Sequence, residues 1–192
     1  MLHSRKQPGM LLTEAQQGGE GLYFVSHIPY KVLILCTGNS ARSVIAEFLL
    51  REKGKGRFET HSAGSHPTGK VNPLAVWVLK DRYDIDASSA RSKSWDEFKD
   101  IKFDLVITVC ENAKESCPIF PGHPVTAHFG SPDPASYEGN EDQKKWFFVQ
   151  VASQIARRID LFCALPDLKL ESAPIRAIGE QYKLEGESQL AR

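Results

Sequence analysis

From Lys31 onward the chain alternates short apolar runs with longer stretches whose apolar residues recur every three or four positions. Residues 32–35 (Val-Leu-Ile-Leu) form an unbroken apolar run, the mark of a strand buried on both faces of a parallel sheet. A Gly/Asn/Ser turn follows, and then Val44, Ile45, Phe48 and Leu49 fall at helical spacing. The alternation repeats. Residues 58–62 predict a strand that breaks at Ala63-Gly64, and Asn72-Pro73 opens a helix over 74–83 with Leu74, Trp77 and Val78 inward. A short helix over 95–99 precedes a strand over 103–109. Residues 111–124 hold three prolines and a glycine, which makes them a loop, and 125–128 predict a last strand. Phe147, Val151, Ile155, Ile159 and Phe162 then mark an amphipathic closing helix over 142–163.

Strands alternating with helices imply an α/β fold: one domain with a central four-stranded parallel sheet, flanked by helices and joined by right-handed crossovers. Its site should lie outside the carboxyl ends of the strands. The domain spans 31–166. Residues 1–30 lack periodicity and carry Gly18, Gly19 and Gly21, so they read as a loose leader. Residues 167–192 form a tail with a short helix around Ile175 that the pattern does not place.

Composition narrows the function. Lys plus Arg balance Asp plus Glu, 24 against 24, without the basic field that nucleic-acid binders carry. No apolar run is long enough to span a bilayer, and the Gly/Gln/Glu-rich stretch after Arg5-Lys6 is no signal-peptide core. Four cysteines without a secretory signal read as thiols of a reducing compartment, which points to the cytoplasm.

The segment Cys36-Thr37-Gly38-Asn39-Ser40-Ala41-Arg42-Ser43 has the form C-x5-R-S between a buried strand and a helix. Five intervening residues let the backbone curl until successive N–H groups point inward, forming an anion nest at a helix N-terminus. Thr37, Gly38, Asn39, Ser40, Ala41 and Arg42 would bind a tetrahedral oxyanion, with the Arg42 fork on two of its oxygens. Cys36 would face the central atom as a nucleophile, its thiol lowered to about 3.5–7.5, and Ser43 would donate its hydroxyl to the thiolate. The plainer alternative is a buried strand-end cysteine beside a surface arginine. The strand–helix setting decides for the anion loop.

With this loop, Ser62-Ala63-Gly64, Asn72-Pro73 and Asp133-Pro134 in order, the chain resembles the low-molecular-weight protein tyrosine phosphatase fold, and within it the thioredoxin-coupled arsenate reductases. The resemblance covers about residues 31–166. It implies that Asp133, in isolation only a turn residue, is the general acid for the leaving oxygen. It also implies a relay: Cys36 attacks arsenate, Cys110 attacks the Cys36 sulfur and releases arsenite, and Cys117 attacks Cys110. Each thiol exchange needs a thiolate and an accessible sulfur. Thioredoxin or another thiol reductant would close the cycle, with no cofactor.

Other readings of these residues stand beside the relay. Cys110 and Cys117 can be small core residues, or metal ligands with His123 and His128, although six intervening residues is wide for a zinc knuckle. Cys163, among Leu161, Phe162 and Leu165, reads as core. Ala41 stands where many relatives carry a further loop cysteine, so no second loop thiol is available. Some reductases of the family hold a potassium ion behind the loop through Asn, Glu, Ser and Asp. Asn39, Glu47 and Ser62 match three positions, and the fourth falls at Lys93, either an ammonium in place of the ion or a solvated helix-start lysine. Three functions remain open: arsenate reduction, phosphomonoester hydrolysis, and a non-catalytic oxyanion or redox sensor. Ala135-Ser136 follow Asp133-Pro134, where tyrosine phosphatases of this fold commonly place an aromatic residue, and this favours the reductase.

Overall fold

The structure, a computed structural model, describes residues 11–13, 24–26, 28–111, 120–167, 170 and 172–181. Two three-residue strands, β1 (Leu11–Thr13) and β2 (Phe24–Ser26), pair antiparallel within the segment expected to be a loose leader. Three residues are too few to show a period of two, so the pattern could not reveal them.

The main sheet is built on β3 (Tyr30–Cys36), whose Val32, Leu33, Ile34 and Leu35 are fully buried. β4 (Phe58–Gly64) flanks it on one side and β5 (Leu105–Thr108) on the other, with β6 (Val125–His128) at the edge. The order is β4-β3-β5-β6 and every pairing is parallel. An unbroken apolar strand takes the centre because only there are both faces covered. The register sets Cys36 level with Gly64, and Leu35 level with Thr108. The segments leaving β3, β4 and β5 therefore emerge side by side.

Four helices accompany the sheet among the described residues: α1 (Arg42–Lys53), α2 (Pro73–Tyr83), α3 (Glu141–Ala164) and α4 (Ser172–Gln181). Every residue of α1 from Ser43 to Leu50 is buried, because the helix lies beneath α3 and α2 as well as on the sheet. No described helix is long and apolar enough to cross a membrane.

Several boundaries differ from the periodic reading. β5 is two residues shorter at its start because Asp104 turns back to accept from the Lys31 N–H at 2.8 Å, and Phe103 joins an aromatic cluster with Phe98 and Phe120. The segment near Trp95 is a 3-10 helix, Trp95–Phe98, capped by Ser94. On α2 the buried residues are Ala75, Val78 and Leu79, while Leu74 and Trp77 lie on its half-buried flanks. The small Ala75 lets this helix approach closely, which rotates the inner face away from the bulkier side chains.

The helix ends carry their own signals. Asn72 accepts the Leu74 N–H, Pro73 opens α2, and the turn out of it is left-handed at Asp84. At the far end of α3, Arg57 donates to the carbonyls of Cys163 and Leu165 and pairs with Asp167. α4 packs along β6 with Ile175 and Ile178 buried, and Arg176 donates to the Thr126 carbonyl at 3.2 Å on the edge strand.

The start of α3 is a capping box, in which Asn140 and Gln143 each accept the other's N–H at 2.9 Å. Asn140→Ala should lower stability by about 1 kcal/mol. A urea unfolding curve would register this as a lower midpoint with the slope unchanged.

Candidate active site

From Cys36, the last residue of β3, to Arg42, the first of α1, the chain folds into a ring whose carbonyls point out. The Cys36, Thr37, Gly38 and Ser40 carbonyls accept the N–H groups of Ser65, His66, Thr68 and Asn72 respectively, and Ser92 Oγ also donates to the Gly38 carbonyl. With the carbonyls so occupied, the loop N–H groups are left for the interior. Asn39 makes the tightest bend, at φ 43°, and its N–H points at Cys36 Sγ at 3.1 Å. Gly64 lies directly behind, where a β-carbon would stand 2.5 Å from the Thr37 carbonyl. That close approach is the physical reason for glycine in Ser-Ala-Gly. α1 begins immediately after Ala41, a residue with no side-chain acceptor, so its first N–H groups keep their partial positive charge for an anion.

A buried polar network fixes this ring from behind. The Lys93 N–H donates to Asn39 Oδ1 at 2.6 Å, which sets the amide so that Nδ2 donates to Ser43 Oγ and Ser62 Oγ, both at 2.9 Å. Ser43 Oγ lies 2.9 Å from Cys36 Sγ, and with Asn39 as its donor its own proton is free to face the sulfur. Ser62 donates to Glu47 Oε2 at 2.5 Å, and Glu47 also receives Lys93 Nζ at 3.2 Å and Arg51 Nη2 at 2.6 Å. Lys93 is 8% exposed, which sets aside the solvated-lysine alternative. Its ammonium stands on the Glu47 carboxylate where the fourth acidic ligand and an ion would be required, so these residues do not fit a potassium ion.

In front of the ring is a cleft of about 370 Å³, lined by Thr37, Arg42, Cys110, Glu111, His128 and the 130–133 turn, with Arg158 and Gly179 at its back. Arg42 Nη2 pairs with Asp133 Oδ2 at 3.2 Å, and Nη1 donates to the Ser131 carbonyl at 3.1 Å. Asp133 Oδ1 accepts the Ala135 N–H at 3.2 Å. Cys110 is 5% exposed, and its Sγ lies 3.4 Å from Thr37 Oγ1. The cleft thus brings together Arg42, Asp133 and Cys110, while Cys36 and Ser43 lie buried in the ring itself, outside the cleft lining. Cys117 lies outside the described residues.

Among the described residues no group of His, Cys, Asp and Glu could hold a metal ion. His123 occupies an exposed left-handed turn, and His128 bonds Thr108 and Glu111. Cys163 is half-buried on α3, its thiol pushed up to about 11 by burial. Periodicity alone missed Arg158, which sits one position from Ile159 on the buried face of α3. It is 1% exposed and donates to the Gly130 carbonyl at 2.6 Å and to Ser131 Oγ at 3.0 Å, so it holds the turn that carries Asp133. A charged residue falling on an apolar helix face was the available signal.

The thiol itself departs from expectation. Burial pushes Cys36 above its ordinary value, against the Ser43 hydroxyl, the Arg42 charge and the Asn39 N–H, all of which lower it; the neighbouring Cys110 adds to the rise. A sequence motif displays the donors and the cation but not the depth of the sulfur, which here is 3% exposed.

Residues 31–172 match the low molecular weight phosphotyrosine protein phosphatase family. The chain belongs to that family. An arsenate reductase of Oceanobacillus iheyensis is 38% identical over 133 residues, 68% of this chain and 93% of the relative. Among solved structures, an arsenate reductase from Archaeoglobus fulgidus superposes with a TM-score of 0.58 at 27% identity, covering 70% of this chain and 99% of that one. A low molecular weight protein tyrosine phosphatase from T. tengcongensis gives 0.55 at 28% identity, over 68% and 98%. Phosphatase-family members of both names therefore share the fold, and the chemistry must be argued from the cleft.

Two measurements test this site. Ser43 and Arg42 both lower the Cys36 thiol, so Ser43→Ala and Arg42→Ala should each move the pH midpoint for iodoacetamide labelling of Cys36 upward. Exchanging sodium for potassium at constant ionic strength should leave oxyanion turnover unchanged, because the Lys93 ammonium holds the Glu47 oxygen. A strong potassium response would contradict that placement.

Proposed function

We propose that this protein reduces arsenate to arsenite, with Cys36 as nucleophile and Cys110 as the second sulfur. The observation that carries the reading is Cys110 at Thr37, inside the oxyanion cleft, since ester hydrolysis has no use for a second thiol there. The name of the 38% identical relative supports it. So does Tyr137, the first aromatic after Asp133, whose ring stacks on Phe147 at 4.6 Å and is absent from the cleft lining, where a phosphotyrosine ring would need it.

In this mechanism the loop N–H groups and Arg42 hold the arsenate oxygens. The Cys36 thiol and dihydrogen arsenate give a singly charged Cys36–arsenate thioester and one water. The sulfur–arsenic bond forms, one arsenic–oxygen bond breaks, and Asp133 delivers the proton to the departing oxygen. Burial raises the Cys36 thiol above its ordinary value, so the proton that Asp133 delivers is the thiol's own, handed to the carboxylate as the new bond forms. Arg42 pairs with Asp133, so a bound anion draws the guanidinium across and frees the carboxylate to pass that proton on. The Cys110 thiol then attacks the Cys36 sulfur. The electron pair of the sulfur–arsenic bond stays on arsenic, the Cys110 proton goes to an arsenic-bound oxygen, and dihydrogen arsenite leaves behind a Cys36–Cys110 disulfide. Cys117 exchanges with Cys110, and thioredoxin or another external dithiol reduces the resulting disulfide. A reducing compartment such as the cytoplasm suits a protein whose Cys36, Cys110 and Cys163 are free.

The second reading is phosphomonoester hydrolysis through the same Cys36, Arg42 and Asp133, favoured by the family membership itself. One pair of assays on one preparation separates them: arsenate-dependent thiol consumption, and hydrolysis of p-nitrophenyl phosphate. Cys36→Ser should lose both. Cys110→Ser should keep hydrolysis and lose reduction, and Cys117→Ser should release one arsenite and stall with Cys36 bonded to Cys110. Steady arsenate turnover with Cys110 and Cys117 both replaced by serine would sink the relay.

A further inference from the structure

β5 ends in a sequence of anchors. The Val109 N–H donates to the Leu35 carbonyl at 2.9 Å, and the Val109 carbonyl accepts the Ser131 N–H at 3.1 Å. Beyond Val109 the chain leaves the sheet, and the next two residues are held by side chains. Cys110 meets Thr37 at 3.4 Å. Glu111 reaches across to β6, where its Oε1 lies 2.8 Å from His128 Nε2, and His128 Nδ1 lies 2.8 Å from Thr108 Oγ1. Thr108 and Glu111 thus bracket Cys110 and bind opposite edges of one imidazole ring.

Gly130 lets the neighbouring turn close on this ring. A β-carbon at Gly130 would stand 2.6 Å from His128 Nε2 and 3.2 Å from Glu111 Oε1. A β-carbon at Gly179 of α4 would overlap the His128 carbonyl, so α4, which lies beyond the 31–172 family match for most of its length, backs the histidine from behind.

We propose that His128 and Glu111 are positioning residues for Cys110: the imidazole, held by Thr108 at Nδ1 on a backbone that α4 packs against, clasps Glu111 and so keeps the adjacent thiol in the cleft within reach of the Cys36 loop. Its consequence for arsenate turnover rests on the relay proposed above. The geometry itself does not, and neither does its test. If the Glu111–His128 bond is what retains Cys110, breaking it should let the segment after Val109 open locally while the sheet stays intact.

The experiment labels the fully reduced, full-length protein with iodoacetamide in the absence of any oxyanion, and follows each thiol by peptide mapping. Glu111→Ala and His128→Ala should each raise the labelling rate of Cys110 about threefold, the scale of losing a solvent-exposed charged pair. Cys163, on α3, serves as the internal reference and should not change. Glu111→Gln removes the charge but keeps an acceptor for His128, and should retain most of the protection. Unchanged Cys110 rates in the alanine variants would overturn the clasp. So would a parallel rise at Cys163, which means general loosening, or a glutamine variant as reactive as the alanine one, which means a charge effect alone.

Discussion

A loop that turns its N–H groups toward one point must send its carbonyls the other way, and each buried carbonyl needs a donor. The ring at residues 36–42 meets that demand with the backbone of 65–72 and the hydroxyl of Ser92. The conformations of those two segments, far apart in sequence, are therefore set by the loop and not by periodicity of their own. Gly64 permits the contact, and the 2.6 Å bond from Lys93 N to Asn39 Oδ1 locks it. Losing any one donor would leave a polar group stranded in a low-dielectric interior, at a cost of about 1–3 kcal/mol. That full set of donors fixes the shape of the ring.

Charge is arranged around the ring in two layers. Behind it, the buried Glu47 carboxylate accepts from Ser62, Lys93 and Arg51. A carboxylate taken out of water is tolerable only with such a full set of donors. In front, Arg42 rests on Asp133. The sulfur lies between these layers, and neither delivers a full positive charge to it, so burial prevails and the thiol stays above its ordinary value. A protonated resting thiol is also a poor target for adventitious oxidation, since the thiolate is the reactive form. In the proposed mechanism the proton that keeps Cys36 quiet is the one that must leave, and it becomes the proton of the departing water.

The sequence was legible where one local physical demand dominates. Val32 to Leu35 could only be a central strand, and C-x5-R-S at a strand–helix junction could only be read usefully as an anion loop. Asn72-Pro73 and the spacing of Phe147 to Phe162 located their helices for equally local reasons. What escaped depends on tertiary distance. No pattern within residues 105–131 announces that Glu111 meets His128, because parallel strands place their partners a crossover apart. Arg158 was hidden by its own helix: an apolar period of three and four predicts a buried face but not that a cation on it will serve the Gly130 and Ser131 turn. On α2 the inward reading holds for Val78 and, half-buried against the core, for Leu74 and Trp77, but it did not single out the fully buried Ala75 and Leu79.

An anion loop of this kind completes its first step without regard to the second. Attack by Cys36 gives a sulfur–oxyanion adduct whether the central atom is phosphorus or arsenic, and Arg42, the loop N–H groups and Asp133 would serve either one. The fate of the adduct is decided by the nucleophile that reaches it next. Water attacking the central atom returns the oxyanion unchanged in oxidation state; a thiol attacking sulfur takes the bond apart the other way and leaves two electrons on the central atom. Reduction of arsenic is accessible by this route, whereas the much stronger phosphate oxygen framework would merely be hydrolysed. The structural difference between the two chemistries is therefore small, and the second sulfur that reduction needs stands at the end of β5. On the proposed reading, a cysteine there, buried against Thr37 and tethered by its neighbour to an edge strand, would turn a hydrolytic cradle into the first half of an electron relay.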